Sequence, residues 1–415
     1  MIFVVPVRLA FSNLSCALVR NRIIVLTLAF LLLIAHLQSA RGENHADYRY
    51  EDYREENDRM LIQTHAVAFG MKLNSAVEVD GELVYDAVSG ATPNGGLPSS
   101  GTRGWLTEIH PDVRQAGNLA VSVAWGANTT TPQFAYSLEN DYESFGYSLN
   151  HTIDFNEKNT TLAIGTAYTH DNIFPSGFSG PDKFKDSGDF LLGITQLLGP
   201  KTVITANLTL GVANGYLDDP YKGIHIPYNL DGNGQVTLDD LLFKTFSEKR
   251  PRQRTKQIGY VSLTQYITPI DASVEGSYRF YHDSYGIVSH TFSLNWYQKL
   301  GKHVILSPML RFTDQGAADF YMTQLPGNPY WVPDPQNPDI TDPFYAPFPE
   351  NYSSDYRLAS LQTITYGIGA TVKIHEHVSL DFSFKRYEMH GKDNVTSSAL
   401  FPKANVFSIG ARIWF

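Results

Sequence analysis

The chain has 415 residues, of which 13% are aromatic and only 18% are charged, and its formal net charge at pH 7 is -10. A typical soluble domain carries about 25% charged residues, so this composition suits a membrane barrel with girdles of aromatic side chains. The negative charge argues against a nucleic-acid partner, because the chain offers no basic surface to phosphates. The single cysteine, Cys16, lies in a segment that we expect to be removed, which excludes disulfides and cysteine chemistry from the mature chain.

Residues 1–42 are predicted to be a secretory signal peptide. Arg20 and Arg22 precede a mostly apolar run of about fifteen residues at 23–37, within the length of a signal core, and small residues at 40 and 42 suit cleavage. An uncleaved membrane anchor, the alternative, needs about 20 apolar residues. No other apolar run approaches that length, so a mature chain in the membrane must cross it as a closed barrel.

Residues 43–415 are predicted to form an all-β, transmembrane antiparallel β-barrel. The predicted strand pairs are 61–72 with 75–89, 114–125 with 132–139, 143–155 with 160–170, 189–198 with 202–214, 256–267 with 272–282, 287–300 with 303–314, and 358–374 with 378–390. A strand near 46–51, before a turn at 56–58, and a last strand at 405–415 bring the total to about sixteen, a porin-like size. Because boundaries read from pattern alone are uncertain by about 2–4 residues, fourteen and eighteen strands are the alternatives.

The connections alternate between tight turns and mostly longer segments, the longest at 215–255 and 315–357. This asymmetry is typical of bacterial outer-membrane barrels, whose periplasmic turns are short and whose outer loops are long. The last strand follows a long loop, so Phe415 is expected on the short-turn side. Parity then requires the extra strand near 46–51, in which Ala46, Tyr48 and Tyr50 alternate with charged residues.

The alternation of apolar and polar residues predicts which strand faces meet lipid. Side chains alternate faces along a strand, so an apolar set spaced by two residues marks the lipid side. The lipid-facing sets are Phe407, Ile409, Ala411, Ile413 and Phe415; Ile364, Tyr366, Ile368, Ala370, Val372 and Ile374; Val378, Leu380, Phe382 and Phe384; and Phe292, Leu294 and Trp296. The last strand, ending at Phe415, is similar to the C-terminal signal that barrel-insertion machinery reads in bacterial outer membranes, so that machinery and outer-membrane lipid are the expected partners.

Five charged residues are predicted to face the lumen: Glu275, Arg279, Asp381, Lys385 and Arg412. Such charges either line a channel or pair across the lumen and hold its shape. The spacing is compatible with a channel lining, but the second interpretation is slightly favoured.

The segment 229–240 fits the spacing of a calcium-binding loop. Its oxygen ligands would be Asn229, Asp231, Asn233, the Gln235 carbonyl, Thr237 and Asp240, with Gly234 at the sharp turn. The loop departs from the usual pattern in having Asn first and Asp last, and few charged ligands imply weak binding, with a dissociation constant of about 10⁻⁴–10⁻³ M. The expected role of Ca²⁺ is to stiffen an outer loop, and Leu241, Leu242 and Phe246 are expected to begin a short helix. The alternative is a simple cluster of turn residues.

The segment 315–357 contains eight prolines interleaved with aromatic residues. Loops of this length are usually functional or disordered. Two interpretations are open: a loop that offers an aromatic surface to a ligand or partner, or a cap that packs on itself. The aromatic residues considered are Phe320, Tyr330, Trp331, Phe344, Tyr345 and Phe348.

No catalytic arrangement is predicted. His282, Asp283 and Ser284 are consecutive, and neighbours on a strand point to opposite faces, so a tight turn is favoured over a hydrolase relay. An outer-membrane hydrolase is therefore a low-ranked alternative.

Several motifs resemble the bacterial family known as domain of unknown function 3570. They are YDAVSGATP at 85–93, ENDYES at 139–144, Arg250-Pro251 with Arg252 and Arg254, YRFYHDSYGIVSHT at 278–291, and AADFY at 317–321. The resemblance implies an outer-membrane barrel in a Gram-negative bacterium and supplies no activity. A porin-like channel or transport protein is the expected function, with a calcium-stabilised surface binding or scaffold protein as the alternative.

Overall fold

A computed structural model of the chain describes residues 44–94, 106–175, 181–226, 244–325, 333–334, 337–341 and 348–415. The signal peptide predicted at 1–42 and the candidate calcium ligands from Asn229 to Asp240 lie outside these residues.

Sixteen strands pair with their neighbours in one closed antiparallel barrel. They are β1 His45–Glu55, β2 Met60–Lys72, β3 Val77–Pro93, β4 Leu106–Trp125, β5 Asn128–Leu138, β6 Tyr142–Phe155, β7 Thr160–Ile173, β8 Lys183–Gly199, β9 Thr202–Gly215, β12 Gln253–Ile267, β13 Ala272–Asp283, β14 Val288–Leu300, β15 Val304–Gln315, β18 Leu361–His375, β19 Val378–Gly391 and β20 Lys403–Trp414. The ring closes where β20 pairs with β1 along its whole length, from His45 opposite Trp414 to Glu55 opposite Ala404. Closure satisfies the backbone of every barrel strand, as a membrane interior demands.

Four further strands lie in the two longest connections. Gly223–Ile226 (β10) pairs with Lys244–Ser247 (β11), and Pro333–Asp334 (β16) pairs with Asn337–Thr341 (β17). These hairpins were not predicted, because neither connection shows a long run of alternating residues. Phe246 lies in β11, so the short helix expected there is wrong at that residue.

The predicted barrel with about sixteen strands is confirmed, and the extra first strand is β1. It is joined to β2 through a single 3-10 turn, Glu56–Asp58. The main errors are in strand length: β3 and β4 run well beyond the predicted ends, and the turn between β4 and β5 takes only residues 126–127 of the interval 126–131 left between the predicted strands. No helix in the described part of the chain is long and apolar enough to cross a membrane.

The apolar faces of the strands point away from the barrel axis. Ile368 and Phe384 are cross-strand partners and are about half exposed, at 51% and 48%, which fits an outer wall with no protein against it. Phe292 is opposite Phe312, and both are exposed. The outward face of β20 carries Phe407, Ile409 and Ile413 in the same state. The lipid-facing sets predicted from the alternation therefore lie on the outside.

The connections at one end of the barrel pack together into a cap, which we define as the described residues 216–225, 246–252, 316–325, 348–360 and 392–402. Three apolar clusters lie inside or beneath it: Tyr285, Ile287, Ala318, Phe320 and Leu358; Ile224 and Leu325; and Ala359, Leu361 and Phe401. Fully burying a large apolar side chain contributes about 1.5–3 kcal/mol, so these clusters hold the connections in one arrangement. Phe320 and Phe348 of the Pro-rich segment belong to them, which favours the self-packed interpretation. Tyr330, Trp331, Phe344 and Tyr345 lie outside the described residues.

Candidate functional site

A chamber of about 980 Å³ lies between the cap and the lumenal wall of the barrel. Its wall is formed by strand ends that lie nearest the long loops. Tyr142 and Lys185 line one side of the chamber, and Arg279 and Arg311 line the other. Its ceiling is made by cap residues, among them Asp355. The chamber is lined by charged and hydroxyl-bearing side chains together with several tyrosine rings.

The ceiling is held by ion pairs around Asp355. Arg250 Nη2 donates to Asp355 Oδ2 at 2.8 Å, and Arg357 Nε donates to Asp355 Oδ1 at 2.9 Å. Arg357 also donates to Asp219 at 2.6 Å, and Arg250 to Glu248 at 3.1 Å. The Asp355 and Glu248 carboxylates are 1% and 0% exposed, so each needs these partners to remain in the interior.

The two carboxylates of this network differ in their pKa. Burial by itself would raise the pKa of Asp355, but the charge and hydrogen bonds of Arg357, with the charges of Arg250 and Lys222, lower it to about 2. Burial raises the pKa of Glu248, and its contacts with Arg250, Ser353 and the Asp219 amide offset this only in part. Asp355 is therefore the stable anion at the centre of the ceiling.

The cap is also tied to the end of β3 through Lys222. This buried ammonium donates to Thr92 Oγ1 at 2.8 Å and to the Pro93 carbonyl, and the next amide, Gly223, donates to the Asn94 carbonyl at 2.8 Å. Burial lowers the pKa of Lys222. The connection after β9 is thus anchored on the far side of the barrel mouth.

A buried carboxylate, Asp283, fixes the turn after β13. Its Oδ1 accepts from the Tyr285 and Ile287 amides at 3.0 and 3.1 Å, and its Oδ2 accepts from Arg254 Nε at 2.8 Å and the Tyr281 hydroxyl at 2.6 Å. Arg254 in turn lies 4.5 Å above the Tyr285 ring centre. Asp283 therefore sets the wall beside the chamber, as the predicted tight turn requires.

The neighbouring histidine takes no part in a relay with Asp283. His282 Nδ1 lies 2.6 Å from Gln257 Oε1 on β12. His282 and Asp283 are bound to different partners, as expected for neighbours on a strand.

The predicted lumenal charges do not pair across the lumen. Arg412 pairs with Asp47 on the adjacent strand, with Nη2 to Oδ2 at 3.0 Å. Asp381 accepts from Thr371 at 2.5 Å, and Glu275 accepts from Asn295 at 3.4 Å, again between neighbouring strands. The slightly favoured interpretation, pairing across the lumen, is wrong for these residues because the register already supplies closer partners along the wall.

Two arginines of the chamber wall are left without a partner. Arg279 on β13 and Arg311 on β15 make no hydrogen bond or ion pair within the part of the chain that the structure describes. Lys385, on β19, likewise makes no hydrogen bond or ion pair in the described residues, but it does not line the chamber. Arg279 was singled out by the sequence, whereas Arg311 was missed because Met309 interrupts the polar alternation of β15.

An acidic cluster lies near the opposite wall. Oxygen atoms of Asp112, Glu139 and Asp141 all fall within 4.8 Å of one another. Burial, followed by the charge of Asp112, raises the pKa of Glu139. Asn140 Nδ2 donates to Asp112 Oδ1 at 2.5 Å, and the Tyr221 hydroxyl donates to Asp141, so the cluster is supported by internal hydrogen bonds.

The motifs that carry the family resemblance converge on the cap and the chamber. Thr92, Asp141 and Arg250, from the first three motifs, contact the cap or belong to it. Asp283, from the fourth motif, fixes the chamber wall, and Phe320, from the fifth, fills an apolar cluster of the cap. The Asp355 ion pairs were missed by sequence reasoning, because nothing in the Pro-rich segment distinguishes Asp355 from its neighbours.

The barrel is similar to solved structures of outer-membrane barrels at low sequence identity. CdiB from Acinetobacter baumannii is 8% identical with a TM-score of 0.50, over 91% of this chain and 61% of that one. The siderophore receptor PirA from the same organism is 12% identical with a TM-score of 0.41, over 89% and 58%. OmpT, an outer membrane protein of Vibrio cholerae, is 10% identical with a TM-score of 0.44, over 90% and 98%. The chain thus spans about three fifths of the length of the first two, and the likeness shows the fold alone.

No curated protein matches the sequence at a significant level. Residues 25–408 match the sequence model of a family described as protein of unknown function, DUF3570. The chain therefore belongs to the DUF3570 family, and its fold is that of an outer-membrane β-barrel.

Proposed function

We propose that the protein is a porin-like channel or transport protein of the bacterial outer membrane that admits a small solute to its lumen. In this arrangement the cap faces outward, the short turns face the periplasm, and the strand that ends at Phe415 is read by the insertion machinery. The signal peptide at 1–42 would direct the chain across the inner membrane.

The observation that carries the proposal is the chamber with its unpaired arginines. A barrel of sixteen strands is wide enough for a lumen that side chains do not fill. Arg279 is partly buried and Arg311 is exposed on the lumenal face, so both guanidinium groups face a cavity of about 980 Å³ without a protein counter-charge, which an inert membrane anchor does not need. Arg279 and Arg311 are therefore expected to meet water and solute.

The cap implies that entry is controlled. Its apolar clusters and buried ion pairs close part of the mouth above the chamber, so the resting channel is expected to conduct less than an open pore of the same strand number. Deformation of the cap, rather than of the barrel wall, would then admit the solute.

Swelling of proteoliposomes tests the proposal, with two tryptophan variants on neighbouring residues of β14. Ser293 lies on the lumenal face opposite Ser277 and Arg311, whereas Leu294 is 51% exposed on the outer face. Ser293→Trp should slow the entry of small sugars and amino acids, and Leu294→Trp should leave it unchanged. The proposal fails if the folded wild-type barrel admits none of these solutes, or if both variants behave alike.

A surface binding or scaffold role is the second candidate, and the fixed architecture of the cap favours it. A rigid outer surface suits a protein or glycan partner, and calcium at Asn229–Asp240 would stiffen it further. This candidate predicts silent liposomes, together with partner binding that is lost on deleting residues 219–250 from an intact barrel. An enzymatic role is not proposed.

A further inference from the structure

We propose that the chamber binds a small oxyanion, that is, a solute bearing a carboxylate or phosphate group, and that Arg279 and Arg311 hold it. This inference rests on the proposed function in that it names the class of solute for the same chamber. Binding can nevertheless be measured without any assay of transport.

The two arginines lie on the same face of the wall, two strands apart. Arg279 on β13 is opposite Thr291 on β14, and Thr291 is opposite Thr313, two residues from Arg311 on β15. Adjacent strands are about 4.8 Å apart, so the two backbones are separated by about 10 Å. Arginine side chains reach across that span to a single small ligand held between them.

The remaining cations of the chamber are already neutralised. Lys185 lies 2.9 Å from Asp171, and Lys256 lies 3.3 Å from Asp189. Arg254 is taken by Asp283, and Arg250 and Arg357 are taken by Asp355. In the described residues, the free positive charge of the chamber is thus concentrated on the wall formed by β13 and β15.

The lining carboxylates that lack a basic side-chain partner lie elsewhere. Glu139 and Asp141 are in the connection between β5 and β6, about a third to half of the way around the ring from β13 and β15. Asp218, in the cap, accepts from the Arg250 amide at 2.6 Å. The chamber therefore has an anionic side and a cationic side, and an anion is drawn to the second.

Hydroxyl groups complete the cationic side. Thr291 is opposite Arg279, and Thr313 is two residues from Arg311; the two hydroxyls are 3.1 Å apart, and Tyr281 and Ser289 line the same wall. Guanidinium groups offer forked donors that match the paired oxygens of carboxylate and phosphate, and hydroxyls supply further donors to the same oxygens. A neutral solute would use the hydroxyls and leave both guanidinium groups unmatched.

Equilibrium dialysis of the detergent-solubilised, full-length protein tests the inference, with radiolabelled inorganic phosphate in one arm and succinate in the other at low ionic strength. The wild-type protein should bind at least one probe saturably, and the stronger probe identifies the group that is recognised. Arg279→Gln and Arg311→Gln should each weaken binding about tenfold or more, as expected for loss of a charge-assisted contact. Arg279→Lys keeps the charge but loses the forked donors, so it should bind more weakly than the wild type and more tightly than Arg279→Gln.

Arg49→Gln is the matched control. Arg49 lies on the lumenal face of β1, opposite Ala66 and Gly410, and makes no hydrogen bond or ion pair in the described chain, but it does not line the chamber. Its substitution removes the same charge from the lumen and should change binding less than twofold. A difference in gel mobility between heated and unheated samples confirms that each variant is folded.

The inference is overturned if the folded wild-type protein binds neither probe saturably, if Arg279→Gln and Arg311→Gln bind as the wild type does, or if Arg49→Gln weakens binding equally. These outcomes are separate from those of the channel. A protein that binds phosphate or succinate but admits no solute supports the site and rejects transport, whereas one that admits solutes without binding either probe rejects the site alone.

Discussion

Arg250 donates to Asp355 at 2.8 Å, which joins the segment before β12 to the segment before β18 across 105 residues of sequence. The Asp355 carboxylate is 1% exposed and the Arg250 side chain 11%. This contact makes the cap one unit, and its loss has consequences that can be measured.

Replacing the buried anion should loosen the cap and spare the barrel. Asp355→Asn leaves Arg250 buried beside a neutral partner, and breaking a buried pair in this way costs about 3–5 kcal/mol. Hydrogen exchange of residues 348–360 should become faster, while exchange in β12–β15 stays slow. Arg54→Gln is the control: its ion pair with Asp52 lies on β1, outside the cap, and the Arg54 side chain is 56% exposed, so its loss should cost about 1 kcal/mol or less. Equal effects of the two substitutions would contradict the role of the buried pair.

The cap should weaken in acid within a defined range. The pKa of Asp355 is lowered from 3.8 to about 2, so its contribution to stability is complete above the ordinary pKa and is lost as the pH falls through the folded value. Glu248 has a raised pKa and acts in the opposite sense, because the folded cap favours its protonated form as the pH falls. Pepsin should therefore cleave the cap much faster at pH 2 than at pH 4, and Asp355→Asn should flatten this difference. If cleavage of the wild type is independent of pH after correction for pepsin activity, the ionised Asp355 carboxylate does not stabilise the cap.

Gly286 is required by the turn after β13. Its φ of +82° is in the left-handed region, and a Cβ there would lie 2.2 Å from Asp319 Oδ1. Gly286→Ala should lower the free energy of unfolding in urea by about 1–3 kcal/mol, since a strained backbone position adds to the clash. Gly276→Ala, on the outer face of β13 with no atom within 4 Å of the added Cβ, should have little effect. Similar losses of stability from both variants would show that the turn has no special need for glycine at position 286.

Calcium binding at Asn229–Asp240 stays a prediction of the sequence. Titration calorimetry of the purified protein should give a dissociation constant of about 10⁻⁴–10⁻³ M. Removing both charged ligands, Asp231→Ala with Asp240→Ala, should abolish the signal and leave barrel unfolding unchanged. The absence of any calcium-dependent heat in the wild-type protein would reject the site.

The sequence predicted the barrel well because the necessary signal is local. Each strand has apolar residues at every second position, as in the outward set from Ile364 to Ile374. The parity of the turns located the first strand without any knowledge of long-range contacts. The cap was beyond such reasoning. Arg250 and Asp355 come together only after the barrel closes, and no periodic pattern relates them.

The state of each lumenal charge was equally hard to foresee. Arg412 and Asp47 are 365 residues apart and meet because β20 pairs with β1 in one register, whereas Arg279 faces Tyr260 and Thr291 and finds no acid. Alternation tells which face a charge occupies, but only the register tells whether a partner is opposite. The functional distinction between a paired and a free arginine therefore required the three-dimensional structure.

Single-channel recording in planar bilayers tests the channel most directly, with the wild-type protein and Asp355→Asn compared under the same voltage. We expect discrete conductance steps from the wild type and larger or more frequent steps from Asp355→Asn, because the variant loosens the cap above the chamber. Correctly folded barrels that remain silent in both forms would contradict the proposed channel.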